Sequence, residues 1–171
     1  AYDCSPLIDA ETDTLITAGE NGILYSVKLN TSYDSAAGTV SVSPGNLEKY
    51  RYNLNGYGDS DSRKWWGVEG SVSAFKNYLF FADNGGTLQC VDANTLETVY
   101  ISDVFDDSDS SCVIEESPEN GTVYLYLGSE VDRQSGISGG GGTSIHRKVN
   151  AMTGETVWKQ EWPASVGDTS S

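Results

Sequence analysis

Residues 14–30 read TLITAGENGILYSVKLN and residues 78–94 read YLFFADNGGTLQCVDAN, and the two stretches align without a gap. Leu15 meets Leu79, Ala18 meets Ala82, Gly22 meets Gly86, Leu24 meets Leu88, Val27 meets Val91 and Asn30 meets Asn94. Within each stretch, two short apolar or alternating runs carry the period of a strand. They are separated by Gly19-Glu20-Asn21-Gly22 in one copy and Asp83-Asn84-Gly85-Gly86 in the other. Asn-Gly and Gly-Gly supply the positive φ that a tight hairpin turn requires. Both stretches therefore read as β-hairpins. Their matched positions are one strand face and the turn glycine, which a shared core face and a shared turn would hold constant.

A third copy follows. Residues 91–100 (VDANTLETVY) match residues 149–158 (VNAMTGETVW), and residues 122–127 (TVYLYL) stand in the place of residues 78–83. Here the turn between the strands has grown into residues 128–143, with a glycine-rich run at 136–142. Each copy has a leading apolar segment: residues 5–8 (SPLI), 71–75 (SVSAF) and 112–115 (CVIE). Each also has a trailing one: residues 47–52 (LEKYRY), 98–101 (TVYI) and 156–160 (TVWKQ). Four strands per unit, recurring roughly every 45–65 residues, are the pattern of a β-propeller blade. The expectation is an all-β chain, a β-propeller built of four-stranded antiparallel blades, with about three blades present. The units are about 1–55, 65–105 and 110–162, and together residues 1–171 form a single partial propeller. A three-blade piece leaves raw ends, so the expected partners are the remaining blades of a larger ring or edge-to-edge self-association.

At Val149-Asn150-Ala151-Met152-Thr153-Gly154-Glu155-Thr156-Val157-Trp158 the chain resembles the pyrroloquinoline-quinone (PQQ)-like propeller repeat family. Residues 91–100 fit the same pattern with Leu96 for glycine and Tyr100 for tryptophan, and residues 28–31 fit only its beginning. The resemblance extends from about residue 5 to residue 162. It implies a structural motif in which Thr153 and Gly154 make the turn before the outer strand and Trp158 packs against the adjacent blade. It does not imply the quinone. Dehydrogenases of the family carry PQQ with calcium, a catalytic aspartate and a vicinal disulfide, and no adjacent cysteines occur here. The non-catalytic branch is the expected one.

The chain has 171 residues, with 10 Lys+Arg against 25 Asp+Glu and a net charge of -15. Such an acidic chain repels phosphates, which argues against nucleic acid and anionic membranes. No run approaches the roughly 20 apolar residues of a membrane span. With 4 Trp, 10 Tyr and 4 Phe the chain carries too much aromatic surface for disorder. A surface vocabulary of Ser, Thr, Asn, Gly, Asp and Tyr is common in exported proteins, so an extracellular or cell-surface location is expected, with any signal outside these residues. Cys4, Cys90 and Cys112 form no CxxC motif, and one histidine leaves no Cys/His zinc set. They read as small buried residues, and Cys4 with Cys112 is the pair to test for a disulfide.

Assembled catalytic chemistry is missing. His146 stands in a strand with no Gly-x-Ser-x-Gly elbow in the chain to supply a nucleophile. No Walker lysine follows the glycine run, which reads as a flexible insertion. No carboxylate pair stands out for a glycosidase. Asp103, Asp106, Asp107 and Asp109 crowd one inter-blade connection and are the candidate calcium ligands, with Asp59 and Asp61 in another. No cofactor is expected beyond calcium at such a loop. Trp65 and Trp66 read as inter-blade packing or as stacking platforms for a ligand, and Tyr33 and Tyr57 extend the second reading. Three functions stand: a non-catalytic extracellular scaffold or binding domain, a fragment of a quinone- or calcium-dependent dehydrogenase, and a carbohydrate-binding module. An enzyme is the less favoured class.

Overall fold

The computed structural model describes residues 3–52, 67–135 and 142–163. Among these residues the chain forms three four-stranded antiparallel sheets and one two-stranded hairpin. The first blade runs β1 (Leu7–Asp9), β2 (Thr14–Thr17), β3 (Leu24–Lys28) and β6 (Leu47–Tyr50). A hairpin of β4 (Ser32–Asp34) and β5 (Thr39–Ser41) is inserted ahead of its outer strand. The second blade is β7 (Ser73–Phe75), β8 (Tyr78–Ala82), β9 (Thr87–Asp92) and β10 (Thr98–Asp103). The third is β11 (Val113–Glu116), β12 (Val123–Ser129), β13 (Thr143–Asn150) and β14 (Thr156–Pro163). A single helical turn, α1 (Asp132–Ser135), lies between β12 and β13. The fold is a propeller segment of about three blades, as the repeat predicts.

The repeat is visible in the backbone. Gly22 (φ 68) and Gly86 (φ 77) close matching turns, with their N–H groups on the Gly19 and Asp83 carbonyls at 2.9 and 3.0 Å. Tyr78 pairs with Asp92 just as Tyr124 pairs with Asn150. So residue 124, and not residue 122, takes the place of Tyr78, a correction of two positions. A two-residue slip preserves the side-chain alternation, so the hydrophobic pattern alone cannot detect it. The outer strands of the second and third blades also share an irregularity, between Thr98 and Tyr100 and at Lys148/Val149 opposite Thr156 and Trp158.

Alternation divides each blade into two faces. The second blade buries both. Leu79, Phe81 and Val91 pack backwards on Ile16, Ala18 and Leu24 of the first blade. Phe80, Leu88 and Cys90 pack forwards on Leu125, Leu127 and Val149 of the third. This explains the unbroken burial along Leu79–Ala82, where an isolated sheet would alternate. Hydrogen bonds repeat from blade to blade as well. The Ser5 N–H donates to Ser71 Oγ at 3.0 Å, and the Ser71 N–H donates to Ser111 Oγ at 2.9 Å. Each of these serines stands two residues ahead of its innermost strand. At the outer strands, Tyr50 Oη meets Thr98 Oγ1 at 2.8 Å and Ser102 Oγ donates to the Gly154 carbonyl at 2.8 Å.

All three cysteines are buried free thiols, so the Cys4–Cys112 pairing is not formed. Cys4 belongs to the core between the first and second blades, and Cys112 to the core between the second and third. The second blade lies between them. Burial in apolar surroundings pushes the Cys90 and Cys112 thiols up to about 12, so both are inert.

Candidate functional site

The connection from the second blade to the third carries the acidic residues, and the structure does not bring the four aspartates together. Asp106 is fully buried. Its carboxylate accepts the N–H groups of Asp107 at 2.8 Å, Arg133 at 2.8 Å and Gln134 at 3.1 Å, and so closes the start of α1. Asp103 accepts the Phe105 N–H at 2.7 Å and faces Arg147 on the other side of the loop. Asp107 is 5% exposed, and its Oδ1 has no hydrogen-bond partner. Burial, then the charges of Asp109, Glu69, Asp132 and Asp106, push its carboxyl up to about 8. Among the described residues no three His, Cys, Asp or Glu side chains converge as a metal would need.

A second buried acid is structural. Burial raises Asp83 to about 6, while the Thr87 and Gly85 N–H groups and Gln89 Nε2 donate to its carboxylate at 2.8–3.0 Å. It organises the turn that Gly86 completes.

Between the end of β10 and the back face of the third blade lies a groove of about 290 Å³. Its lining includes Asp103, Phe105, Ile145, Arg147, Lys159 and Glu161. Arg147 is 6% exposed, and its Nη2 donates to the Val104 carbonyl at 2.8 Å. Burial lowers its affinity for a proton and Asp103 raises it. Lys159 and Glu161 form an ion pair of 2.6 Å at the surface. Phe105 is 49% exposed with φ 85, a left-handed backbone that a bulky residue rarely adopts. Sequence reading passed over this groove. The one available signal is Arg147, a charged residue in the inward register shared by Ile145 and Val149.

The other candidates fall elsewhere. Trp65, Trp66, Tyr57, Asp59 and Asp61 lie outside the described residues. Tyr33 is exposed on the inserted hairpin. His146 is exposed on β13 opposite Gln160. Thr153 and Gly154 turn the chain before β14: the Gly154 N–H donates to the Asn150 carbonyl at 2.9 Å, and Gly154 has φ 74. Trp158 differs from expectation. It packs edge-on against Tyr126 of its own blade, with centroids 6.3 Å apart, and remains 46% exposed. Its counterpart Tyr100 lies against Gly154 of the following blade, and no described blade follows the third.

The open forward face of the third blade also carries Val113, Tyr124, Lys148 and Glu115. Lys148 Nζ lies 3.9 Å from the Tyr124 ring centroid and 3.0 Å from Glu115 Oε2, and Tyr126 Oη donates to the same carboxylate. These bonds hold Glu115 below the usual carboxylate range and Lys148 above its own. The open back face of the first blade carries Ile8, Leu15, Val27 and Leu47, with Ile8 and Leu47 exposed.

No protein-family model and no curated protein sequence matches the chain. Solved structures do. The crystal structure of BamB from Moraxella catarrhalis matches over 92% of this chain and 37% of that one, with TM-score 0.54 and 21% identity. A europium-containing methanol dehydrogenase matches over 91% of this chain and 24% of that one, with TM-score 0.54 and 14% identity. The quinohemoprotein alcohol dehydrogenase from Comamonas testosteroni matches over 94% of this chain and 21% of that one, with TM-score 0.54 and 16% identity. At these identities the likeness establishes the fold, that of the PQQ-type and BamB propellers. The chain spans between 21% and 37% of the length of these structures.

Proposed function

We propose that this chain is a non-catalytic segment of a PQQ-like propeller, extracellular, acting as scaffold or binding domain, whose two end faces take further blades or a second copy. The repeated serine bond carries this reading. Ser5 passes its N–H to Ser71 and Ser71 passes its own to Ser111, in step with the stacking of sheet on sheet. Apolar and aromatic side chains on both open faces support it, since an uncovered sheet face of that composition favours burial. The acidic, Ser- and Thr-rich composition supports the extracellular placement.

The described residues do not fit the quinone. PQQ is a planar tricarboxylate, and the Asp107 cluster would repel it. The groove opposes its two cations with two carboxylates.

Sedimentation velocity across a wide dilution series tests the reading. The chain should associate, and Val113→Lys with Trp158→Glu should abolish the larger species. A dilution-stable monomer would remove self-association through these faces. Saturable PQQ binding in calcium would overturn the non-catalytic assignment.

A further inference from the structure

The groove between the second and third blades goes beyond a scaffold. We infer that it is a binding site for a neutral saccharide, one that stacks a sugar ring on Phe105 and is hydrogen-bonded by Asp103, Arg147, Lys159 and Glu161.

Phe105 gives the first reason. A left-handed backbone is costly for a residue with a Cβ and a bulky ring, and glycine would adopt it freely. The Phe105 N–H bond to Asp103 holds the loop in place, and the cost leaves an aromatic ring half exposed at the groove. The ring serves no core there, since neither buried cluster includes Phe105. An exposed ring of this kind is a flat apolar platform, which is what the C–H face of a pyranose packs against.

Charge gives the second. Two cations, Arg147 and Lys159, face two carboxylates, Asp103 and Glu161, so the groove selects neither an anion nor a cation by net charge. It offers donors and acceptors side by side. A hydroxyl both donates and accepts, so a polyol can satisfy both sets at once. Arg147 is nine-tenths buried, and its Nε has no partner within the protein. Its Nη2 is held on the Val104 carbonyl, which fixes the guanidinium in the wall of the groove as a polar anchor. The cavity, about 290 Å³, lies at the small end of ligand pockets and has room for a mono- or disaccharide.

The test is a titration of the whole chain, followed by backbone amide NMR shifts, with cellobiose, maltose, lactose and N,N′-diacetylchitobiose. Citrate and spermidine serve as charged controls. At least one disaccharide should give saturable shifts centred on Phe105, Ile145 and Lys159. Phe105→Gly should weaken that binding by about tenfold or more, the loss expected for one aromatic platform. The same variant should melt no lower than the parent, because it relieves the left-handed backbone, so a failure to fold cannot mimic the result. Saturation by citrate or spermidine but by none of the sugars would overturn the proposal. So would shifts centred elsewhere, sugar binding unchanged by Phe105→Gly, or silence with all four disaccharides.

Discussion

Replacing Asp107 with Asn tests the electrostatics of the acidic connection. Asp107 is buried, its Oδ1 lacks a partner, and Asp109, Glu69, Asp132 and Asp106 act on it with the same sign of charge. Its carboxyl is raised from 3.8 to about 8 in the folded chain. Between those values the folded protein keeps a proton that the unfolded chain has released. Folding stability therefore falls as pH rises through this window, and no further above it. Each pH unit is worth at most about 1.4 kcal/mol, so the full shift bounds the effect at about 6 kcal/mol. Local relaxation and water reduce this, and a loss of about 2–3 kcal/mol between pH 5 and pH 8 is the working figure. Asn keeps the shape and cannot titrate. In urea unfolding followed by tryptophan fluorescence, the stability gap between variant and parent should widen by about that amount from pH 5 to pH 8, in favour of the variant. A constant gap, or one that narrows, would refute the reasoning.

Other perturbations have equally definite outcomes. Gly154→Ala should lower stability by about 2–3 kcal/mol in the same assay: its φ is 74, and an added Cβ would meet the Ser102 hydroxyl and come within 2.7 Å of the Tyr100 ring. Phe80→Ala should cost about 3–5 kcal/mol, because the ring is fully buried between the second and third blades. Millimolar calcium should leave the thermal midpoint unchanged, since Asp103 and Asp106 are engaged by separate backbone amides and no three acids converge among the described residues; a rise that chelator reverses would restore the acidic loop as a calcium site.

The hairpins were legible because local chemistry specifies them. Gly22 and Gly86 sit where only positive φ closes the turn, and the strands around them alternate with period two. Blade count followed from the repeat. What escaped detection depends on contacts between blades. Trp158 has the same sequence setting as Tyr100, but Tyr100 lies against Gly154 of the next blade, whereas among the described residues no blade lies beyond Trp158. Asp103, Asp106 and Asp107 are near neighbours in sequence, yet the bent loop sends one to Arg147, one to the α1 amides and one into the acidic cluster. The groove joins residues more than fifty positions apart, Asp103 to Glu161, and no local pattern marks such a meeting. Cys4 and Cys112 open similar segments, but they lead the first and third blades, lie on separate interfaces and so do not touch.

Hydrogen–deuterium exchange at low and high protein concentration tests the central claim most directly, namely a stack of blades whose middle member is covered and whose end faces await partners. Amides of β8 and β9 should exchange slowest at both concentrations, because the second blade is buried on both faces. Protection in β2, β3, β12 and β14 should rise with concentration as the end faces are covered. Equal protection in all three blades, unchanged by concentration, would contradict the account.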